Sequence, residues 1–417
     1  MKKLVVAAIA ALFLMACNGA EQKPQWEYLF NGHDLTGWTR AVGEADFAVV
    51  DGVIVGTARR GTPNAFLRTD KEYGDFILEF EFKVTGGLNS GVQIRSHQQG
   101  DGRRLVYGYQ WEVDPQVRAW TGGIFDEARR GWLYPLTFNQ PARAAFKGEG
   151  VWNSGRIEAI GNSIRGWLNG VPSCDLWCDM TAKGFIALQV HGSNMNEDGA
   201  TASFRNIRIL TEDLERWATP NHGEIHQINA INNTLSPMEE ENGWELLWNG
   251  RNFEGWSDAQ GWRIDNGMLI VEPVEDGEHL VTDHSFENFW LSVDFRVTSG
   301  ASSGIFYLVD DEMNGLEYQL IDDRTNPNAV GKRTLGSLFD VKAAPANKTA
   351  APDMRWNDFN TAWIKVTDNT IEHWLNGVKL FSIARNDVEW NESEGKIFLQ
   401  HSGSGFYFRN IKIKELP

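Results

Sequence analysis

The chain has 417 residues and a formal net charge of −17, which excludes nucleic acid as a partner because phosphate binding needs a basic surface. With 42 glycines, many aromatics and few long helical periods, the composition favours an all-β chain large enough for two or three cored domains. Walker loops, dinucleotide-binding glycine patterns and His-Glu-x-x-His are absent, and neutral or polar ligands are the better expectation.

Met1-Lys-Lys3 and the apolar run from Leu4 to Ala16 form a basic and then hydrophobic leader, too short to span a bilayer. The run ends Leu14-Met-Ala-Cys17 and resembles a bacterial lipoprotein signal. Residues 1–17 are therefore expected to be a signal peptide ending at a lipidated Cys17. The remainder is expected in the bacterial cell envelope, periplasmic or outer-membrane facing, with lipid as its membrane contact.

In the first half, Gly91 to His97 places Val92 and Ile94 on one face and Gln93, Arg95 and His97 on the other. The segment after it sets Tyr109, Trp111 and Val113 against Gln110, Glu112 and Asp114. A face carrying Arg, His, Gln and Glu beside aromatics reads as the floor of a binding groove. Further on, Cys174 and Cys178 fit a local disulfide and free thiols equally well, and two thiols alone do not make a metal site.

The chain then repeats itself, which fixes its organisation. Leu29-Phe-Asn-Gly32 with Gly37-Trp38 returns as Leu247-Trp-Asn-Gly250 with Gly255-Trp256. Asn89-Ser-Gly91 returns as Ser302-Ser-Gly304, and Trp152-Asn153 as Trp356-Asn357. Trp167-Leu-Asn-Gly170 returns as Trp374-Leu-Asn-Gly377, and Phe204-Arg-Asn-Ile207 as Phe408-Arg-Asn-Ile411. Runs such as Phe76 to Val84 alternate as strands do, and the Asn-Gly pairs at 31–32, 169–170, 249–250, 266–267 and 376–377 read as hairpin turns. Each copy is expected to be a jelly-roll β-sandwich, at 25–212 and 243–417. Residues 213–242 read as a linker, with a helical turn at Leu214 to Trp217 and a polar connector at Ser236 to Asn242. In the second copy, Asp310 to Gly315 opens like a calcium loop but has Ile321 where the closing Glu belongs, so a solvated acidic turn is the better reading.

These landmarks, with Leu67-Arg-Thr-Asp-Lys-Glu-Tyr-Gly-Asp75, resemble the 3-keto-disaccharide hydrolase family, also described as 3-keto-glucoside lyases and hydratases, across both copies. The resemblance implies two tandem concanavalin or lectin-like jelly rolls. Their substrates would be glycosides already oxidised at C3 by a separate oxidoreductase. Where the family shows Tyr-Glu-x-Gln and Leu-Gln-Asp-His-Gly, the first copy has Gln110-Trp-Glu112 and Leu188-Gln-Val-His-Gly192. The second has Glu317-Tyr-Gln319 and Leu399-Gln-His-Ser-Gly403. The first groove is the more polar and the favoured catalytic one.

The implied chemistry removes the C2 hydrogen, which the C3 ketone acidifies, then expels the C1 oxygen by elimination and adds water. Glu112 or His191 is the expected base, Arg95 the holder of the developing oxyanion, and Glu317 the second copy's candidate. Gln93, Gln110, Gln189 and Trp167 in the first copy, with Gln319, Trp374 and His401 in the second, are expected to contact sugar. A divalent metal such as calcium is compatible with this scheme but not required by it. The competing reading is a pair of non-catalytic carbohydrate-binding modules on the cell surface, with the same faces holding sugar without turning it over. For the anchor, Cys17→Ser is expected to move the protein from the membrane fraction to the soluble fraction without lowering its melting temperature. Retention of the variant in the membrane pellet would contradict a lipid tether.

Overall fold

The computed structural model describes residues 23–100, 105–137, 139–192, 199–257, 259–346, 356, 358–403 and 405–417. The leader with Cys17, and Asn357, lie outside the described residues. Strand Phe76–Val84 shows why the chain forms layers: Phe76, Leu78, Phe80, Phe82 and Val84 are buried, while Glu79, Glu81 and Lys83 point the other way. It sits within a nine-stranded sheet between Asn153–Ile160 and Thr201–Leu210. The facing sheet has seven strands, in the order Gly131–Tyr134, Ile124–Glu127, Val106–Val113, Ser90–Gln98, Gly184–Val190, Ala65–Tyr73, Trp38–Val42. Trp111 from the second sheet meets Phe80 and Phe82 of the first edge-on, with ring centroids 5.4 and 5.6 Å apart. Such contacts add to the burial that holds the two layers together.

The second half repeats this with a core of its own, as an eight-stranded sheet against a four-stranded one made of Leu280–Val281, Lys396–Leu399, Ser302–Val309 and Leu316–Ile321. The repeated sequence landmarks do repeated work. Trp38 and Trp256 each donate from Nε1 to a carbonyl nine residues back, Leu29 and Leu247, both at 2.7 Å. Asn169 and Asn376 each accept a backbone N–H at 2.9 Å, from Ser154 and Thr361. Their amides reach Asn153 at 2.8 Å and Asn360 at 3.0 Å, so Asn360, not Asn357, is the counterpart of Asn153.

Two of the expected hairpin turns are something else. Asn169, Asn266 and Asn376 have positive φ beside their glycines and join paired strands, as two-residue turns require. Asn31 and Asn249 instead accept backbone N–H groups two and three residues ahead, forming side-chain-capped loops. The linker carries short helices at Leu214–Trp217 and Pro237–Glu241 and docks on both sandwiches. Ile228–Asn229 pairs in parallel with Val171–Trp177 of the first sandwich. Ser236 and Glu239 form a reciprocal capping box on Pro237–Glu241, and Glu239 also takes a 2.6 Å bond from Lys412 of the second sandwich.

Cys174 and Cys178 are free buried thiols, the second accepting a hydrogen bond from the Tyr109 hydroxyl at 3.1 Å. Gly166 lies under Trp111, where an added Cβ would sit 2.7 Å from the indole nitrogen and 2.7 Å from the Cys174 sulfur. Gly166→Ala should therefore cost about 1–3 kcal/mol by overpacking, read as a lowered urea midpoint with unchanged slope. An unchanged midpoint would show that Trp111 has slack against the opposite sheet.

Candidate active site

Because Tyr109 and Trp111 are committed to the core, Gln110 and Glu112 must face outward from the seven-stranded sheet. Strand register then assembles their neighbours: Gln93 lies opposite Gln110, Gly91 opposite Glu112, and Gln189 opposite Gly91. Gly91 is a gap that the Gln110 side chain fills, since a Cβ there would come within 2.5 Å of it. A connected set of bonds results. Asn89 Nδ2 donates to Glu112 Oε1 at 2.6 Å and Gln110 Nε2 to Glu112 Oε2 at 2.8 Å. Gln110 Nε2 also reaches Gln189 Oε1 at 3.2 Å, while its own Oε1 accepts from Gln93 at 2.9 Å.

Gln93, Gln110, Glu112 and Gln189 are only 0–4% exposed, although they face away from the sandwich core. The sheet curls over them. Asn64 leads into Ala65–Tyr73 and Glu127 ends Ile124–Glu127, with three strands between, yet Asn64 Nδ2 donates to Glu127 Oε1 at 3.1 Å. That bond crosses above the floor. Gln98 similarly reaches the Ala41 carbonyl at 3.0 Å across two intervening strands.

Burial raises the Glu112 carboxyl to about 7, against the pull of its Gln110 and Asn89 donors. Burial likewise raises Glu127 and lowers His191, and the charge of Arg118 lowers His191 further. Arg118 acts on Glu112 as well, favouring its ionised form. This arginine is held by Asp114 at 2.5 Å and lies 5.0 Å from the ring centroids of both Trp120 and Trp132. The face thus gathers a carboxyl raised to about 7, an imidazole whose pKa burial lowers, a cation and an aromatic wall.

Several residues expected here lie elsewhere. Arg95 stands at a bulge with φ of 44°, so the alternation that would put it beside Gln93 is broken. Ser96 takes the Gln93 side, bonding its Oε1 at 2.5 Å. Arg95 is buried instead against the carbonyls of Gly74 and Gly161 and the Asp75 carboxylate, each at 2.8 Å. Trp167 and Trp374 belong to the opposite sheets of their sandwiches, where Arg165 covers Trp167 and Lys379 covers Trp374. His401 aligns with Val190, not His191, and bonds the Glu272 carbonyl at 3.0 Å. His373 is a core histidine held by Tyr307 and Gly336, and burial lowers it to about 3. Arg118, Asn64 and Glu127 had no reading from the sequence; Arg118 and Glu127 lie beyond the alternating runs that drew attention to the face.

The second copy differs in kind. Gln319 occupies the place of Glu112, and Glu317 that of Gln110, opposite Phe306. Phe306, Phe398 and His279 stack face to face, with centroids 4.3 and 4.7 Å apart. Glu317 is raised to about 8 by burial and by the charge of Asp340, and no described side chain donates to its carboxylate. Asp310 closes its own turn by accepting from the Glu312 and Asn314 backbone, and among the described residues no three acidic, His or Cys side chains converge as metal ligands.

Two lectin-like β-sandwiches in tandem, each with its own core, define the fold class of the chain. Both segments, 25–210 and 243–414, match the 3-keto-alpha-glucoside-1,2-lyase-like domain, and the chain belongs to that family. A 3-keto-disaccharide hydrolase of Bacteroides thetaiotaomicron is 27% identical to it over 42% of this chain and 80% of the relative. A crystal structure of a Parabacteroides distasonis protein, provisionally named a glycosyl hydrolase, is 27% identical and covers 45% of this chain and 100% of that one, with TM-score 0.41. A carbohydrate-binding module of Bacillus subtilis is 17% identical, covering 42% and 95%, with TM-score 0.30.

The raised Glu112 pKa sets a sign for stability. Between its ordinary value of 4.5 and about 7, folded Glu112 holds a proton that the unfolded chain has released. Its contribution is complete below pH 4.5 and lost as pH rises through 7, a swing of about 3 kcal/mol. The stability of wild type minus that of Glu112→Gln, from urea unfolding, should fall by this amount between pH 4 and pH 8. A flat difference would mean that Glu112 is solvated in the folded protein.

Proposed function

We propose that the chain cleaves 3-keto-glycosides and that the first sandwich carries the reaction. The observation that carries this reading is Glu112: buried, near neutrality, and fixed on both oxygens by amide donors, as a general base needs to be. Glu112 takes the C2 proton, the electron pair moves toward the C3 oxygen as an enolate, and its return expels the C1 oxygen, leaving an unsaturated 3-keto sugar. Addition of water across the new double bond gives net hydrolysis. Arg118, rather than Arg95, supplies the positive charge for the enolate oxygen. Gln93, Gln110 and Gln189 are the amides that meet sugar hydroxyls, and His191 at the rim serves the leaving oxygen or the incoming water. The hydrolase activity in the name of the Bacteroides relative agrees with this chemistry. A separate oxidoreductase supplies the C3 ketone, and the envelope anchor through Cys17 places the reaction outside the cytoplasm.

For the second sandwich the stacked Phe306, Phe398 and His279 favour sugar binding over turnover, since among the described residues Glu317 lacks the donors that fix Glu112. Product formation from a 3-keto-glucoside should fall by roughly 10² or more in Glu112→Gln, with binding of the unoxidised sugar changed little. Arg118→Ala should lose roughly 10² in kcat. Full activity in Glu112→Gln with loss in Glu317→Gln would move the reaction to the second copy. No turnover by wild type on a range of 3-keto-glycosides would leave two binding modules.

A further inference from the structure

Between the sandwiches lies a cleft of about 650 Å³, walled by the first sandwich, the linker and the outer face of the second sandwich's larger sheet. Its size falls within the range of about 300–1,000 Å³ typical of small-molecule sites. On the second sandwich Trp363 lies between Ser292 and Trp374 in register, pointing away from the core formed by Ala362 and Ile364. The linker's His226 meets the Trp363 ring edge-on, with centroids 4.9 Å apart.

The basic groups around this cleft, and the acids they face, are already engaged, Arg409 with Asp294 among them. Asp294 accepts from Thr361 and Asn410 at 2.7 Å each, and Lys412 is bound to Glu239 at 2.6 Å. Arg129 and Arg130 on the opposite wall both hold Asp126. What the cleft offers is a set of fixed donors and acceptors without a dominant charge, beside an indole. An anion finds no free basic pair there, whereas a neutral sugar has hydroxyls that both donate and accept and an apolar C–H face for a ring.

We propose that this cleft is a second carbohydrate site, binding a neutral oligosaccharide against Trp363, separate from the curved face that carries Glu112. The inference rests on the reading that the chain handles carbohydrate. It gives the linker a purpose: its docking to both sandwiches builds one wall of a site that neither sandwich has alone.

Isothermal titration calorimetry of the full mature chain with cellotriose, maltotriose and laminaritriose tests it. At least one triose should bind saturably, Trp363→Ala should weaken that binding at least 10-fold, and Glu112→Gln should retain it while losing turnover of a 3-keto-glucoside. Ser292→Phe, which fills the cleft beside Trp363, should weaken binding as strongly and decides the matter if Trp363→Ala fails to fold. The proposal is overturned if no triose binds wild type, if the folded variants bind as wild type does, or if Glu112→Gln abolishes binding. Absence of 3-keto-glucoside turnover in wild type would sink the catalytic reading alone, because Trp363-dependent triose binding would still stand.

Discussion

Everything at the candidate site depends on Trp111 being wedged between Phe80 and Phe82. A strand has one side-chain period, so anchoring Tyr109 and Trp111 in the core leaves Gln110 and Glu112 no other direction than outward. Register across three strands does the rest, bringing Gln93, Gln110, Glu112 and Gln189 into one bonded set. The cost of holding a carboxylate there is only partly offset by donors on both of its oxygens and by the nearby charge of Arg118, which is why its pKa stays raised. The candidate site in this chain is therefore a by-product of core packing on the reverse side of the same strands.

That dependence explains what could be read from the sequence. The repeat, the strand alternation and the outward row of Gln110 and Glu112 were legible because each is a local pattern with a fixed period. Arg95 was not, because a bulge adds a residue without marking it, and a non-glycine residue with positive φ leaves no compositional trace. The repeat did contain a warning: its counterpart Leu308 also has positive φ, at 52°, and is fully buried. A position that is apolar in the other copy is a poor candidate for a polar groove.

Trp167 and Trp374 were misplaced for a different reason. Their strands alternate correctly, but alternation does not say to which of two sheets a strand belongs, and that is decided by pairing with Asn153–Ile160 and Asn360–Val366. The linker read only as a polar connector, whereas its polar side chains are what its capping box and its bond to Lys412 require. Neither assignment was available from any stretch read alone.

The Asn64 to Glu127 bond over the floor has a geometric corollary. A groove open along its length lets a polymer lie across it, with the cut made anywhere along the chain. If this floor holds sugar as proposed, a strap from corner to corner would admit a ligand endwise and hold a terminal unit, and the spacing between strap and floor would act as a gauge that passes single rings and stops branched or internal ones. Size selection would then reside in one side-chain hydrogen bond, remote in sequence from the Glu112 carboxyl on the floor beneath it.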